Sequence, residues 1–193
     1  MTKGRYLIFG ALAVSLIQIG FLVTMITSRA AILRDGHEIV LQTQPIDPRD
    51  LLRGDYVILG YSISNLPAEL IEPAHEGDDA DGTRDVHVRL APDADGFHQV
   101  VAARLDTPPA APKAAGEVDI RGRIHYWSPG GRGVFFATYG LERYYVPEGE
   151  GLEIELGMLE RQFTIRAAVS SSGAAQIKSF HDGDRMLYAE PWY

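Results

Sequence analysis

The chain begins with an uncharged apolar segment, and the remainder consists largely of short runs in which apolar and polar residues alternate. Residues 6–26 contain no charged side chain. A helix of this length spans about 32 Å, close to the ~30 Å hydrocarbon core of a bilayer. A helix packed against a soluble core would have a polar face, and this segment has none. We therefore predict a transmembrane helix, whose continuation ends at Gly36.

We expect this helix to be retained as a signal anchor. A cleavable signal has an apolar core of about 7–15 residues followed by a small-x-small site. This run is longer, and Arg29 stands in the middle of the only weak match.

The orientation of the helix in the membrane is less strongly marked. Lys3 and Arg5 precede the helix and Arg29 and Arg34 follow it, so the positive charges alone barely orient it. The short leading tail favours export of the chain beyond the helix. The predicted regions are a cytoplasmic tail at 1–5, a transmembrane signal anchor at 6–28 and an extracytoplasmic domain at 29–193, in the bacterial inner membrane.

The rest of the chain reads as β structure. Several runs of strand length alternate at period two, as Val118, Ile120 and Ile124 do against the polar residues between them. The predicted strands are 37–44, 55–64, 85–90, 97–105, 117–127, 133–139, 141–146, 162–169, 174–180 and 185–189. Leucines at i, i+4 and i+7 spacing predict one short helix over 151–161. The pattern favours a mainly β fold, an antiparallel sandwich or barrel-like domain with minor helix.

Turn-forming residues separate these strands. Asp-Gly pairs at 81–82, 95–96 and 182–183 are favoured in hairpins, and 128–131 is a strong turn sequence. Residues 73–83 and 106–116 are predicted to be exposed loops within one domain, because each lies between predicted strands. The 165 residues after Ser28 suffice for one domain with a substantial core.

The charge and composition exclude several classes of function. The formal net charge is −8, and Lys3 and Arg5 precede the apolar segment, so the remainder carries −10. An acidic domain repels phosphate backbones, and we therefore expect no nucleic-acid partner. The chain has no cysteine, which excludes disulfides, thiolate metal sites and a cysteine nucleophile.

Residues 45–61, PIDPRDLLRGDYVILGY, carry the most information. Asp47 can cap a short helical turn that has Pro48 at its first position, and Gly54 can end that turn with a positive φ. A strand then begins. We predict that Val57, Leu59 and Tyr61 face one side of it, and that Tyr56, Ile58 and Gly60 face the other.

The segment GDYVILGY matches the GDYXXLXY motif without a gap, through Gly54, Asp55, Tyr56, Leu59 and Tyr61. The chain resembles the bacterial GDYXXLXY protein family, and DPRDLLR and the later YYVPEGEG are similar to its wider pattern. The resemblance implies a membrane-anchored protein and supplies no reaction, cofactor or catalytic residue.

Three interpretations of the motif remain open, the last of them a catalytic pair of carboxylates. The first is a purely structural strand entry, in which Asp55 accepts backbone hydrogen bonds and the tyrosines pack. The second is a polar recognition surface, where arginine side chains grip a carboxylate or a phosphate. The candidate surface residues are Asp47, Arg49, Asp50, Arg53, Asp55, Tyr56, Tyr61, Arg143, Tyr145 and Glu148.

Other chemistry is weakly indicated. The acidic residues near Glu148 are typical of a helix start and could alternatively hold a divalent cation. His87 and His98 could face each other across a hairpin as metal ligands, and Lys178 could activate a serine at 170–172. None of these outweighs a structural explanation, so we predict no catalytic residue, cofactor or metal.

We therefore expect a non-enzymatic binding or assembly module that is integral to the membrane and works beside another envelope or multi-pass membrane protein. The alternative is a membrane-tethered hydrolase that uses the carboxylates of Asp47, Asp50 and Asp55.

Overall fold

The computed structural model describes residues 2–44, 56–72, 82–127, 133–147, 150, 154, 157, 158 and 161–191. Over these residues the chain forms a long N-terminal helix followed by antiparallel strands. The helix is α1, Thr2–Asp35. The strands are β1 His37–Gln44, β2 Tyr56–Ile58, β3 Gly60–Tyr61, β4 Asn65–Pro67, β5 Gly82–Pro92, β6 His98–Leu105, β7 Val118–Trp127, β8 Val134–Thr138, β9 Arg143–Tyr145, β10 Phe163–Val169, β11 Ala175–Asp182 and β12 Arg185–Ala189.

Helix α1 is apolar and exposed along most of its length. The side chain of Tyr6 is 75% exposed and that of Met25 is 46% exposed. Among the described helices, α1 is the one long and apolar enough to cross a membrane. Its last turns, from Ala30 to Leu33, are half-buried, because this end of the helix packs against β10 and β11.

A single residue, Gly36, joins α1 to β1. Its N–H donates to the carbonyl of Ile32 (2.9 Å), which closes the helix as predicted. A Cβ atom at this position would lie 2.5 Å from that carbonyl oxygen and 3.1 Å from the Cβ of Ala168. The chain therefore turns from helix into strand where only glycine fits, and no flexible linker separates the two.

The strands form two five-stranded antiparallel sheets and one two-stranded ribbon. The first sheet has the order β12-β11-β10-β1-β3, the second β4-β8-β7-β5-β6, and the ribbon pairs β2 with β9. Hydrogen bonds connect the two sheets. The N–H of Val40 on β1 donates to Nδ1 of His98 on β6 (3.2 Å), the amide of Asn65 on β4 donates to Oε1 of Gln44 on β1 (3.4 Å), and the N–H of Arg121 on β7 donates to the carbonyl of Gly173 (2.8 Å). The result is a nearly closed, barrel-like arrangement, which confirms the predicted mainly β class.

The core lies between the two sheets. It is built from residues that alternate inward along each strand, as the period-two pattern predicts. The side chains at 0–1% exposure include Ile39, Leu41, Val57, Leu59, Tyr61, Ile63, Leu66, Val86, Val88, Leu90, Ile120, Ile124, Phe163, Ile165 and Phe180.

Most predicted strands agree with the structure, with two differences. The run at 55–64 is not one strand: β2 ends at Ile58, β3 covers Gly60–Tyr61, and a 3₁₀ turn follows at Ser62–Ser64. Strand β4, Asn65–Pro67, is absent from the sequence prediction, because three residues with a terminal proline give no periodic signal.

The 106–116 segment is exposed except at Pro109, which is buried. Arg89 of β5 holds it by donating to the carbonyls of Pro109 (3.3 Å) and Ala111 (2.5 Å).

In the predicted helix at 151–161, the N–H of Met158 donates to the carbonyl of Ile154 and the N–H of Arg161 donates to the carbonyl of Gly157, which is helical spacing. The predicted turn at 128–131 and residues 73–81 of the loop predicted at 73–83 lie outside the described residues. The last two residues of that predicted loop, Gly82 and Thr83, instead begin strand β5, which pairs with β7.

Candidate recognition site

The family motif changes sheet partner at Leu59. Before it, β2 pairs with β9, and after it, β3 pairs with β1. The N–H of Leu59 donates to the carbonyl of Glu142 (2.9 Å), and its side chain is fully buried. The described part of the motif, residues 56–61, thus ties the β2–β9 ribbon to the first sheet.

Tyr56, Arg143 and Tyr145 form a cluster on the outer face of this ribbon, which we name the recognition cluster. Tyr56 lies opposite Tyr145 in the register, and their rings meet edge to face with centroids 6.0 Å apart. The guanidinium carbon of Arg143 lies 5.6 Å from the centroid of the Tyr56 ring, which is a cation–π geometry. Tyr145 is 69% exposed. An arginine and two tyrosines held in this way form a rigid, amphipathic surface.

The inner face of the ribbon is anchored in the core. Tyr144 is 4% exposed, and its ring stacks on Phe180 (5.7 Å) and lies near Tyr188 (6.2 Å). Burial, with a contribution from the carboxylate of Glu190, raises the pKa of Tyr144 to about 12. Because Tyr144 is locked between strands, its neighbours Arg143 and Tyr145 are held pointing outward.

Tyr61, which the sequence placed on the candidate surface, is 1% exposed and belongs to the core. Its hydroxyl donates to the carbonyl of Leu141 (2.5 Å), and the hydroxyl of Tyr139 donates to the carbonyl of Ile63 (2.6 Å). Burial, and secondarily the nearby carboxylate of Glu142, raises the pKa of both tyrosines. These hydroxyls therefore remain neutral donors, and the final tyrosine of the motif is structural.

The rest of the predicted surface lies outside the described residues, together with the predicted turn at Gly54. Those surface members are Asp47, Arg49, Asp50, Arg53, Asp55 and Glu148. Their recognition or carboxylate roles stay predictions. Of the predicted set, the structure brings together Tyr56, Arg143 and Tyr145.

The structure also shows a pair that the sequence did not reveal. The Oγ of Ser179 lies 2.8 Å from Nε2 of His181, on neighbouring same-face positions of β11. Burial, and secondarily the charge of Arg166, lowers the pKa of His181. The i, i+2 spacing in a strand could have suggested this pair. Ser179 is only 7% exposed, and among the described residues no carboxylate bonds the other ring nitrogen of His181, so the pair lacks the third member of a triad.

The histidine pair predicted across the hairpin is not assembled. His87 lies opposite Arg104 and His98 opposite Pro92, so these two histidines are not neighbours across the hairpin. The Nζ of Lys178 forms an ion pair with the carboxylate of Glu38 (2.8 Å). Within the described part of the chain, no group of three histidine, aspartate or glutamate side chains could hold a metal ion.

Taken together, the fold defines a class: an antiparallel β domain that carries an exposed arginine–tyrosine cluster and is joined without a linker to an apolar helix. The chain belongs to the GDYXXLXY protein family, since the model of that family matches residues 18–180, from within α1 to β11. No curated protein and no solved structure matches the chain.

Proposed function

We propose that this protein is a membrane-anchored module whose β domain lies on the outer side of the bacterial inner membrane and binds another envelope protein through the recognition cluster. The observation that carries the proposal is the position of this cluster, exposed on a rigid ribbon of a domain fused to an exposed apolar helix. The exposed apolar surface of α1 is unfavourable in water and favourable in the hydrocarbon core of a bilayer.

The chemistry of the cluster indicates the kind of partner. Among the described residues, no carboxylate lies within ion-pair distance of Arg143, and this guanidinium therefore keeps donors for an external acceptor. Tyrosine and arginine dominate the energetically important positions of protein interfaces. A partner that offers a carboxylate beside an apolar surface would bind the guanidinium of Arg143 and pack against the tyrosine rings.

Site-specific photocrosslinking in cells tests the binding role. A benzoylphenylalanine at position 145 should give an adduct with one membrane protein. The matched control is the same probe at Phe136, which is 52% exposed on β8 of the second sheet and should give no such adduct. Arg143→Gln should weaken the adduct at 145. The same adducts at both positions would refute a specific face.

A fusion reporter tests the topology separately. Alkaline phosphatase fused after Tyr193 should be active, because it folds only outside the cytoplasm, and a fluorescent protein that folds only in the cytoplasm should stay dark there. The reverse result would overturn the proposed orientation. Hydrolytic turnover that is lost in Asp55→Asn, with the adduct at 145 unchanged, would favour the hydrolase alternative.

A further inference from the structure

A cleft of about 330 Å³ opens between the end of α1 and the β domain. Its polar lining comes from four separate elements of the chain. The side chains that matter are Arg29 and Leu33 from α1, Arg143 and Tyr145 from β9, Gln176 from β11, and Glu190, which follows β12. The cleft is thus bounded on one side by the helix and on the other by the recognition cluster.

The charges of this cleft are not paired with one another. Among the described residues, neither Arg29 nor Arg143 has a carboxylate within ion-pair distance, and Glu190 has no cation within that distance. Two guanidinium groups and one carboxylate therefore line one concave surface with their hydrogen-bonding capacity available. Such an arrangement suits a small ligand that carries both a phosphate and an ammonium group.

The height of the cleft relative to the apolar helix identifies the source of that ligand. The uncharged run ends at Ile26, and Arg29 lies three residues later, about 4.5 Å further along the helix axis. The headgroup layer extends about 5–7 Å beyond the hydrocarbon core on each side. If residues 6–26 occupy the core, Arg29 and the mouth of the cleft lie in the headgroup layer. Tyr145, at its rim, is of the residue type enriched there.

We infer that this cleft binds the headgroup of an ethanolamine phospholipid, with its phosphate against Arg29 and Arg143 and its ammonium against Glu190. The inference rests on the proposed membrane anchoring. An anionic headgroup fits less well, because it would meet Glu190 and a domain of formal charge −10. A choline headgroup carries no N–H to donate to the carboxylate.

Lipid retention by the full-length protein tests this assignment. The protein is reconstituted in vesicles of equal parts phosphatidylethanolamine, phosphatidylglycerol and phosphatidylcholine, extracted in mild detergent, and its bound lipids are quantified by mass spectrometry. Phosphatidylethanolamine should be enriched over its share. Arg29→Gln with Arg143→Gln should lower its retention about tenfold, as expected when charge-assisted bonds are lost. Arg121→Gln, an exposed arginine on β7 of the other sheet, is the control and should retain lipid like the unmodified protein.

A second variant tests the role of the carboxylate. Glu190→Gln should remove the preference for phosphatidylethanolamine and bring phosphatidylglycerol to at least equal retention, because the phosphate site remains and the ammonium site is lost. An unchanged preference would overturn the assignment. Soluble glycerophosphoethanolamine should bind far more weakly than the lipid, and equal affinity would assign the cleft to a free metabolite instead.

Two further readouts separate the failure of this inference from the failure of the proposed function. Each variant is fractionated between membrane and soluble pools, and the photocrosslink at position 145 is measured for Glu190→Gln, whose changed residue lies outside the recognition cluster. An anchored, crosslinking protein without lipid preference refutes the headgroup site alone. A chain found in the soluble pool refutes both proposals. Thermal melting shows whether each variant is folded.

Discussion

Arg89 on β5 and Arg143 on β9 show how one domain uses the same side chain in opposite ways. Arg89 is 4% exposed, and its guanidinium is bidentate with the carboxylate of Asp119 (2.7 and 3.1 Å) while also donating to two backbone carbonyls. Arg143 is exposed and lies over the ring of Tyr56, with no described carboxylate in reach. The first arginine has used its donors within the fold, whereas the second leaves them available for the ligand that we propose. Satisfaction of the donors within the fold therefore separates a stabilising arginine from a candidate binding one.

The largest expected effect is on the buried side of this comparison. Arg89→Met should lower the free energy of unfolding by about 3 kcal/mol, because it removes both short bonds to the largely buried Asp119 carboxylate, leaves that carboxylate only the more distant Lys113 (3.8 Å), and releases the 106–116 segment. Thermal or urea denaturation of the full-length protein in detergent measures the change.

The matched control is Arg143→Met, which should cost less than about 1 kcal/mol, as is usual for exposed positions. The double variant Arg89→Met with Asp119→Leu should recover part of the loss, because it also removes the buried carboxylate that has lost its two short bonds. Equal losses for the two single arginine variants would contradict the distinction drawn between them.

A buried and an exposed tyrosine offer a second, smaller contrast. Tyr61→Phe should cost about 1–2 kcal/mol, because it leaves the buried carbonyl of Leu141 without its donor. Tyr145→Phe should change stability by only a few tenths of a kcal/mol, since that ring is 69% exposed. Its effect should appear in the yield of the crosslinked adduct formed by a probe at Tyr56. A stable Tyr61→Phe variant would show that water replaces the hydroxyl.

The smallest expected effect is a dependence of stability on pH. Burial lowers the pKa of His87, His98 and His181 below the usual 6.5, so the unfolded chain binds protons more readily than the folded one. The contribution of these three histidines to the free energy of unfolding should be fully present above pH 6.5. It should be lost as the pH falls from 6.5 through their lowered pKa values in the folded protein. The recognition cluster contains no histidine and should not share this dependence.

Melting temperatures between pH 8 and 5.5 measure the effect. His98→Gln should flatten the slope, because His98 Nδ1 accepts the bond from Val40 that joins β1 to β6. A melting temperature that rises on acidification would reverse the assigned direction.

The sequence predicts the frame of this molecule well and the site only in part. The bounds of β1 and β12 follow directly from alternation and from the Asp182-Gly183 turn, where Gly183 has a φ of +56°. The break at Leu59 could not be foreseen, since its side chain keeps the inward alternation while its backbone pairs with Glu142, a residue 83 positions later. Changes of strand partner depend on such distant contacts, and local periodicity does not record them.

The sequence placed Tyr56 and Tyr61 on opposite faces of the strand, and the structure confirms this: Tyr56 lies on the outer face and Tyr61 in the core. The sequence did not identify which face is buried, and it assigned Tyr61 to the candidate surface. The cation–π contact between Arg143 and Tyr56 depends on the pairing of β2 with β9, which neither segment specifies alone. Likewise, Arg89 reads as a surface position in an alternating strand, and only the fold of the 106–116 segment covers it.

Because Gly36 is the single residue between α1 and β1, a rotation of the helix about its axis rotates the β domain with it. Successive residues of a helix are offset by about 100°, so adding or deleting one residue in the last turn of α1 would re-aim the outer ribbon by roughly a quarter of a circle. Under the proposed anchoring, the orientation of the domain about the membrane normal would follow from the way α1 packs against its lipid or protein neighbours. A rotation of the helix inside the bilayer would then rotate the domain, and any partner bound to it, by the same angle.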